Sequence, residues 1–122
     1  MFTVTVETTF YACHQLTLPQ GAKEPLHYHD WVVKVGVSAE KLDKMGLVID
    51  FARLKKMIDE IISPFKNKQL ETLEFFETIN SSAENVAKYL FERMEKRLGA
   101  SGKLEFVEVT EAAGCSAKYY KS

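Results

Sequence analysis

The chain has little of what would place it outside the soluble, single-domain class. Its two cysteines, Cys13 and Cys115, lie far apart and in no C-x-x-C. A disulfide scaffold is therefore disfavoured, and reduced, buried thiols are expected. No apolar run approaches the length a bilayer requires, and the opening residues MFTVTVETTF lack the basic-then-apolar order of a secretory leader. Charge is balanced, with 16 Lys and Arg against 17 Asp and Glu, and the basic residues are scattered rather than gathered into a stripe. A formal net charge of −1 gives no electrostatic case for nucleic acid or an anionic membrane. Internal repeats and low-complexity tracts are missing, and 122 residues suffice for one core but not two. These absences predict one soluble, cytoplasmic domain spanning residues 1–122.

What is present is strong periodicity. Phe2, Val4, Val6, Thr8 and Phe10 alternate with Thr3, Thr5, Glu7 and Thr9, a strand pattern continuing to about His14. Turn formers fill residues 18–25, and His27 to Val37 again has strand composition, giving a hairpin with a long loop. Phe51, Leu54, Met57, Ile58 and Ile61 fall at helical spacing, with Asp50 placed to cap the start and Pro64 to mark the stop. Ser81-Ser82-Ala83-Glu84 offers an S-x-x-E capping box before Val86, Tyr89, Leu90, Met94 and Leu98, and Gly99 closes that second helix. Lys103 to Val109 and Ala117 to Tyr120 read as a closing hairpin around Gly114. The order β-β-α-α-β-β predicts an α+β domain: a four-stranded antiparallel sheet with two helices on one face. Its open edges make homo-oligomeric, edge-to-edge assembly an expectation.

The chain holds only three histidines, and they are spaced for one site. His27 and His29 are two apart, so in a strand both imidazoles point to one face, and His14 ends the neighbouring strand. An H-x-H pair on an exposed strand is usually inert. Three histidine ligands with an open fourth position are, however, the arrangement of a catalytic zinc rather than a closed structural one.

Five segments resemble the family of 6-pyruvoyltetrahydropterin and 6-carboxytetrahydropterin synthases, over nearly the whole chain. Phe10-Tyr11-Ala12-Cys13-His14 resembles its F-x-A-A-H, and Leu26-His27-Tyr28-His29 its L-H-G-H. Gly46-Leu47-Val48-Ile49-Asp50-Phe51 is similar to G-M-V-x-D-F, and Asn80-Ser81-Ser82-Ala83-Glu84-Asn85 to N-P-T-A-E-N. Glu111 through Cys115-Ser116-Ala117 to Tyr119 resembles the terminal E-T-P-x-x-S-A-x-Y. The resemblance implies the tunnelling fold, whose subunits join into a β-barrel as trimers that stack into hexamers, with active sites between subunits. It implies that His14, His27 and His29 hold Zn2+, and that Glu111, with Ser82 nearby, binds a dihydropterin. A carboxylate at Glu111 can accept two parallel hydrogen bonds from the amino group and ring N–H of a 2-aminopyrimidinone.

Three departures qualify that expectation. The family's usual base is a cysteine four positions before the first histidine of H-G-H; Lys23 stands there, and Glu24 instead matches an E-x-x-H variant in which glutamate is the base. The D-H-x-x-L-N setting of the inter-helix loop becomes Lys66-Asn67-Lys68-Gln69-Leu70-Glu71, without the Asp-His pair. Tyr28 replaces the glycine between two ligands and should point away from the metal, while Cys13, opposite His14 along the strand, should be packed rather than reactive. The resemblance implies a zinc-dependent lyase of pterin or deazapurine biosynthesis, acting on 7,8-dihydroneopterin triphosphate or a related dihydropterin, with Glu24 as base. The E-x-x-H form suits side-chain cleavage to a hydroxymethyl or carboxy product better than pyruvoyl formation. Two alternatives stay open: a pterin-binding module that keeps the metal site without turnover, and a metal site that persists without a pterin ligand.

Overall fold

The computed structural model describes residues 1–122. Side-chain alternation decides its first element. In β1 (Phe2–His14), Val6, Thr8, Phe10, Ala12 and His14 turn to one face and are buried, while Thr3, Thr5, Glu7, Thr9 and Tyr11 are exposed on the other. β2 (His27–Ala39) pairs antiparallel with β1 in an unbroken register from Phe2 opposite Ala39 to His14 opposite His27. β3 (Lys103–Ala112) and β4 (Cys115–Tyr119) complete a four-stranded antiparallel sheet of order β1-β2-β3-β4. Helices α1 (Phe51–Ile62) and α2 (Ala83–Leu98) are inserted between β2 and β3, so the chain runs β-β-α-α-β-β as predicted.

Both helices lie on the face that carries Trp31, Val33, Val35 and Val37 of β2 and Val107 and Val109 of β3. These pack with Leu54, Ile58 and Ile62 of α1 and Val86, Leu90, Phe91 and Met94 of α2 into one buried cluster. Each such side chain contributes about 1.5–3 kcal/mol by leaving water. The α1 stripe is rotated slightly from the sequence reading: Ile62 is buried and Ile61 only half-buried, while Phe51 is 57% exposed at the helix start. Asp50 occupies the N-cap position but accepts no capping hydrogen bond. In α2 the cap is Ser82, not Ser81: the Ser82 hydroxyl accepts from Asn85 N–H at 3.2 Å. Gly99 closes the helix at a positive φ of 55°, where a side chain would be strained. The closing strand runs on to Ala112, so its turn is the Ala113-Gly114 pair.

On the opposite, polar face the ring of Phe106 lies where a side chain at Gly36 would stand, opposite it in the β2–β3 register. Two connections position the functional end of the sheet. Residues 15–26 fold back so that Thr17 pairs with Lys23 and Glu24 N–H donates to Leu16 O at 3.0 Å. The inter-helix segment runs through three short 3-10 turns, Ser63–Phe65, Leu70–Thr72 and Glu74–Phe76, and ties to the end of β1 by Cys13 N–H to Lys68 O at 3.0 Å.

Candidate metal centre and adjoining cleft

The register that pairs His14 with His27 also pairs Ala12 with His29, so the three imidazoles meet on the core face at one end of the β1–β2 ladder. One ring nitrogen from each lies within 4.8 Å of the others. Trp31, two residues beyond His29 on the same face, closes the floor: its indole stands edge-on to His14 (centroids 4.8 Å) and to His29 (6.1 Å) and donates to Ala12 O at 3.3 Å. A fully buried aromatic wall beneath polar rings excludes water and lowers the local dielectric.

A single hydrogen bond orients the His14 ring. Nδ1 lies 2.7 Å from Ser81 O. A carbonyl only accepts, so Nδ1 carries a proton and Nε2 is turned toward the other two imidazoles. That nitrogen is buried without a hydrogen-bond partner, and so is His29 Nε2. Glu111 Oε1 comes within 2.6 Å of His14 Nε2 but without the alignment of a hydrogen bond. A positive charge at that nitrogen, whether a proton or a metal cation, makes the contact with the carboxylate favourable. Partnerless buried nitrogens are costly in a finished core, and a metal satisfies both. The donor set of three imidazoles suits zinc, whose Zn–N bonds are about 2.0–2.1 Å.

Three carboxylates surround this end of the sheet, and no Lys or Arg forms an ion pair with any of them. Glu111, near the end of β3, lines a cleft of about 260 Å³ together with Leu16, Ser82, Glu84 and Cys115. Ser82 and Glu111 thus share one cleft, although the Ser82 hydroxyl is already engaged as the α2 cap. Larger grooves occur elsewhere, such as one of about 470 Å³ beside Phe65 and Tyr89; the Glu111 cleft is singled out because its Glu111 touches His14. Glu24 is half-buried, with Oε1 accepting from Leu16 N–H at 3.0 Å and Oε2 free. Glu71 accepts from Gln15 N–H, the amide immediately before, also at 3.0 Å.

The departures are placed as follows. Lys66 is exposed and lines a groove with Lys55 and Asp59 of α1, away from the three histidines. Asn67 turns the chain at φ 59° and donates its N–H to Tyr11 O at 2.7 Å. Tyr28 is 59% exposed on the far face, stacked on Tyr11 with centroids 6.2 Å apart. Cys13 is buried, as expected, whereas Cys115 is exposed in the Glu111 cleft, correcting the expectation of two buried thiols; both are free. Sequence reasoning missed Trp31, Glu71 and Ser81. The i, i+2 spacing after His29 points to Trp31, whereas the last two come to His14 only through the tertiary fold.

This geometry can be set beside known proteins. The profile of the 6-pyruvoyl tetrahydropterin synthase family matches residues 3–122. A dihydroneopterin monophosphate aldolase of Pyrococcus furiosus is 30% identical over 103 residues, which cover 84% of this chain and 83% of that protein. A 6-carboxy-5,6,7,8-tetrahydropterin synthase of Synechocystis is 28% identical over 127 aligned positions, covering 98% and 94%. A Caenorhabditis elegans relative is 34% identical over 86 residues, covering 70% of this chain but only 61% of its own length. The solved Caenorhabditis elegans 6-pyruvoyl tetrahydropterin synthase superposes with a TM-score of 0.85 at 28% identity, covering 100% and 98% of the two chains. The strand order, the two helices on one face and the match over nearly every residue converge: the chain belongs to the 6-pyruvoyl tetrahydropterin synthase family.

Proposed function

We propose that the protein is a zinc-dependent lyase that cleaves the side chain of 7,8-dihydroneopterin triphosphate or a related phosphorylated dihydropterin. The observation that carries this reading is the convergence of His14, His27 and His29 with two buried, partnerless nitrogens beside the Glu111 cleft. Zinc held by the three imidazoles would supply Lewis acidity at a side-chain oxygen of the substrate. Glu111 would orient the pterin through paired hydrogen bonds to its amino group and ring N–H. Glu24 would be the general base, since Leu16 N–H steadies one of its oxygens and leaves the other to take a proton.

In side-chain cleavage, Glu24 removes the proton of the hydroxyl one carbon beyond the ring-attached carbinol. The carbon–carbon bond between them breaks, an aldehyde leaves, and the electron pair passes into the dihydropterin ring. Protonation of the ring-attached carbon then gives a hydroxymethyl dihydropterin. The aldolase relative, which matches over most of both chains, supports this branch over pyruvoyl formation. So does the loop that has Lys66 and Asn67 in place of an Asp-His pair. The cleft of about 260 Å³ is smaller than the roughly 300–1,000 Å³ of small-molecule sites, so a second copy would supply another wall. The open edges of β1 and β4 suit closure of several copies into a barrel, as a trimer or hexamer.

Mass spectrometry of the zinc-loaded protein incubated with 7,8-dihydroneopterin phosphates tests this, with Glu24→Ala alongside. A hydroxymethyl or carboxy dihydropterin that disappears in the variant is expected. Intact substrate with the wild-type protein would overturn the lyase reading. The second reading, a pterin-binding module that keeps its metal, rests on the exposed Lys66 and Asn67, and it predicts Glu111-dependent dihydropterin binding without product.

A further inference from the structure

The loop that lacks an Asp-His pair still carries a carboxylate, Glu71, and its contacts converge on His14 from two sides. Glu71 Oε1 accepts from Gln15 N–H at 3.0 Å, fixing the backbone immediately after His14. The same oxygen accepts from Ser81 Oγ at 2.5 Å. Ser81 is fully buried, and its carbonyl is the group that accepts from His14 Nδ1 at 2.7 Å. Glu71 Oε2 accepts from Gln69 Nε2 at 3.0 Å, which pins the carboxylate in turn. Three neutral donors thus hold a half-buried charge that has no Lys or Arg partner.

We propose that Glu71 is a positioning residue for the metal centre: through Ser81 and Gln15 it sets the tautomer and tilt of His14 and so presents Nε2 to the metal. This rests on the reading of His14 as a zinc ligand. The rings of Trp31, His27 and His29 confine the imidazole, and the Nδ1 hydrogen bond decides which of its two nitrogens faces the metal. The carbonyl that receives this bond belongs to a loop residue whose placement depends on the Glu71–Ser81 contact. Groups that orient a ligand in this way typically contribute about 10–100-fold to metal affinity. A carboxylate suits the post because it is acceptor-only and can take several donors at once. Its negative charge also favours the dication behind His14.

The test compares zinc affinity, by competition with a chromophoric chelator, for wild type, Glu71→Ala, Glu71→Gln and His14→Ala. Glu71→Ala is expected to weaken zinc binding about 10–100-fold. Glu71→Gln, which keeps an oxygen for Ser81 and Gln15, is expected to recover most of that loss. With cobalt(II) in place of zinc, the visible bands should shift in Glu71→Ala and return in Glu71→Gln. Metal-free Glu71→Ala should remain folded, with a cooperative urea transition, while losing affinity; a purely structural role would lower the urea midpoint and leave the affinity of the folded protein unchanged. Wild-type affinity and an unaltered cobalt spectrum in Glu71→Ala would overturn the proposal while leaving the metal site intact. Wild-type protein that binds no zinc would overturn both.

Discussion

Glu111 of β3 reaches across β2, the strand between them, to lie 2.6 Å from His14 Nε2 on β1, so a group assigned to substrate recognition touches a group assigned to metal binding. Despite the contact, the proposed reading gives the two groups different functions, which mutation should separate. Glu111→Ala should weaken binding of 7,8-dihydroneopterin by about 100-fold or more, since hydrogen bonds to a charged group contribute about 1.5–3 kcal/mol each and two are lost. Zinc content should be retained. Calorimetric titration with the dihydropterin reads the first quantity and elemental analysis the second; undiminished pterin affinity would remove Glu111 from the pocket.

On the proposed reading, His29 is a metal ligand rather than the support of one. His29→Ala should lower zinc affinity by more than the roughly 100-fold ceiling typical of supporting groups. It should also abolish the stabilisation that zinc confers, about 2.7 kcal/mol for wild type at a free zinc concentration of 100 times Kd. Thermal unfolding with and without added zinc checks this, and an equal zinc-induced rise in Tm for both proteins would contradict it.

Gly36 tests the polar face of the sheet. Phe106 fills the space a methyl at Gly36 would need, so Gly36→Ala should cost about 1–3 kcal/mol through overpacking. Phe106→Ala opens that space, and the double variant should be less destabilised than the sum of the singles. A double-mutant cycle in urea measures the coupling; strict additivity would deny the contact.

Asp59 gives a pH dependence. Burial raises its carboxyl, but hydrogen bonds from Thr8 and Lys55 and the charges of Lys55 and Lys66 outweigh this and hold it below its ordinary value. A folded-state value below the unfolded one means that the stabilisation is present above about pH 4 and is lost as the pH falls through the folded value. Asp59→Asn should therefore be less stable than wild type near pH 7, with the gap in urea midpoint closing toward pH 3. A gap that is constant with pH would show that the charge is not responsible.

The sequence was legible where a period governs the structure. Alternation along residues 2–14 set the strand, its buried face and the direction of His14, and the H-x-H spacing set the other two imidazoles. Helix caps were less legible, because Ser81 and Ser82 are chemically alike. Tertiary contact decides between them: the Ser81 hydroxyl goes to Glu71, which leaves Ser82 to cap α2. The cysteines show the same limit. Cys13 is buried and Cys115 exposed for reasons of position in the sheet that composition does not contain. Glu71 was illegible for a related reason: its partners Gln15 and Ser81 are 56 and 10 residues away in sequence.

Trp31, the chain's one tryptophan, sits fully buried with its edge against two of the three imidazoles. The molecule therefore carries a built-in optical probe of its own centre. Emission from that indole is blind to the distant surface, so a paramagnetic ion arriving at the histidines should darken it, and a closed-shell ion should leave it bright. A spectrofluorometer can thus follow the loading and loss of a paramagnetic ion, and its exchange for zinc, in unlabelled protein, without waiting for a substrate to be identified.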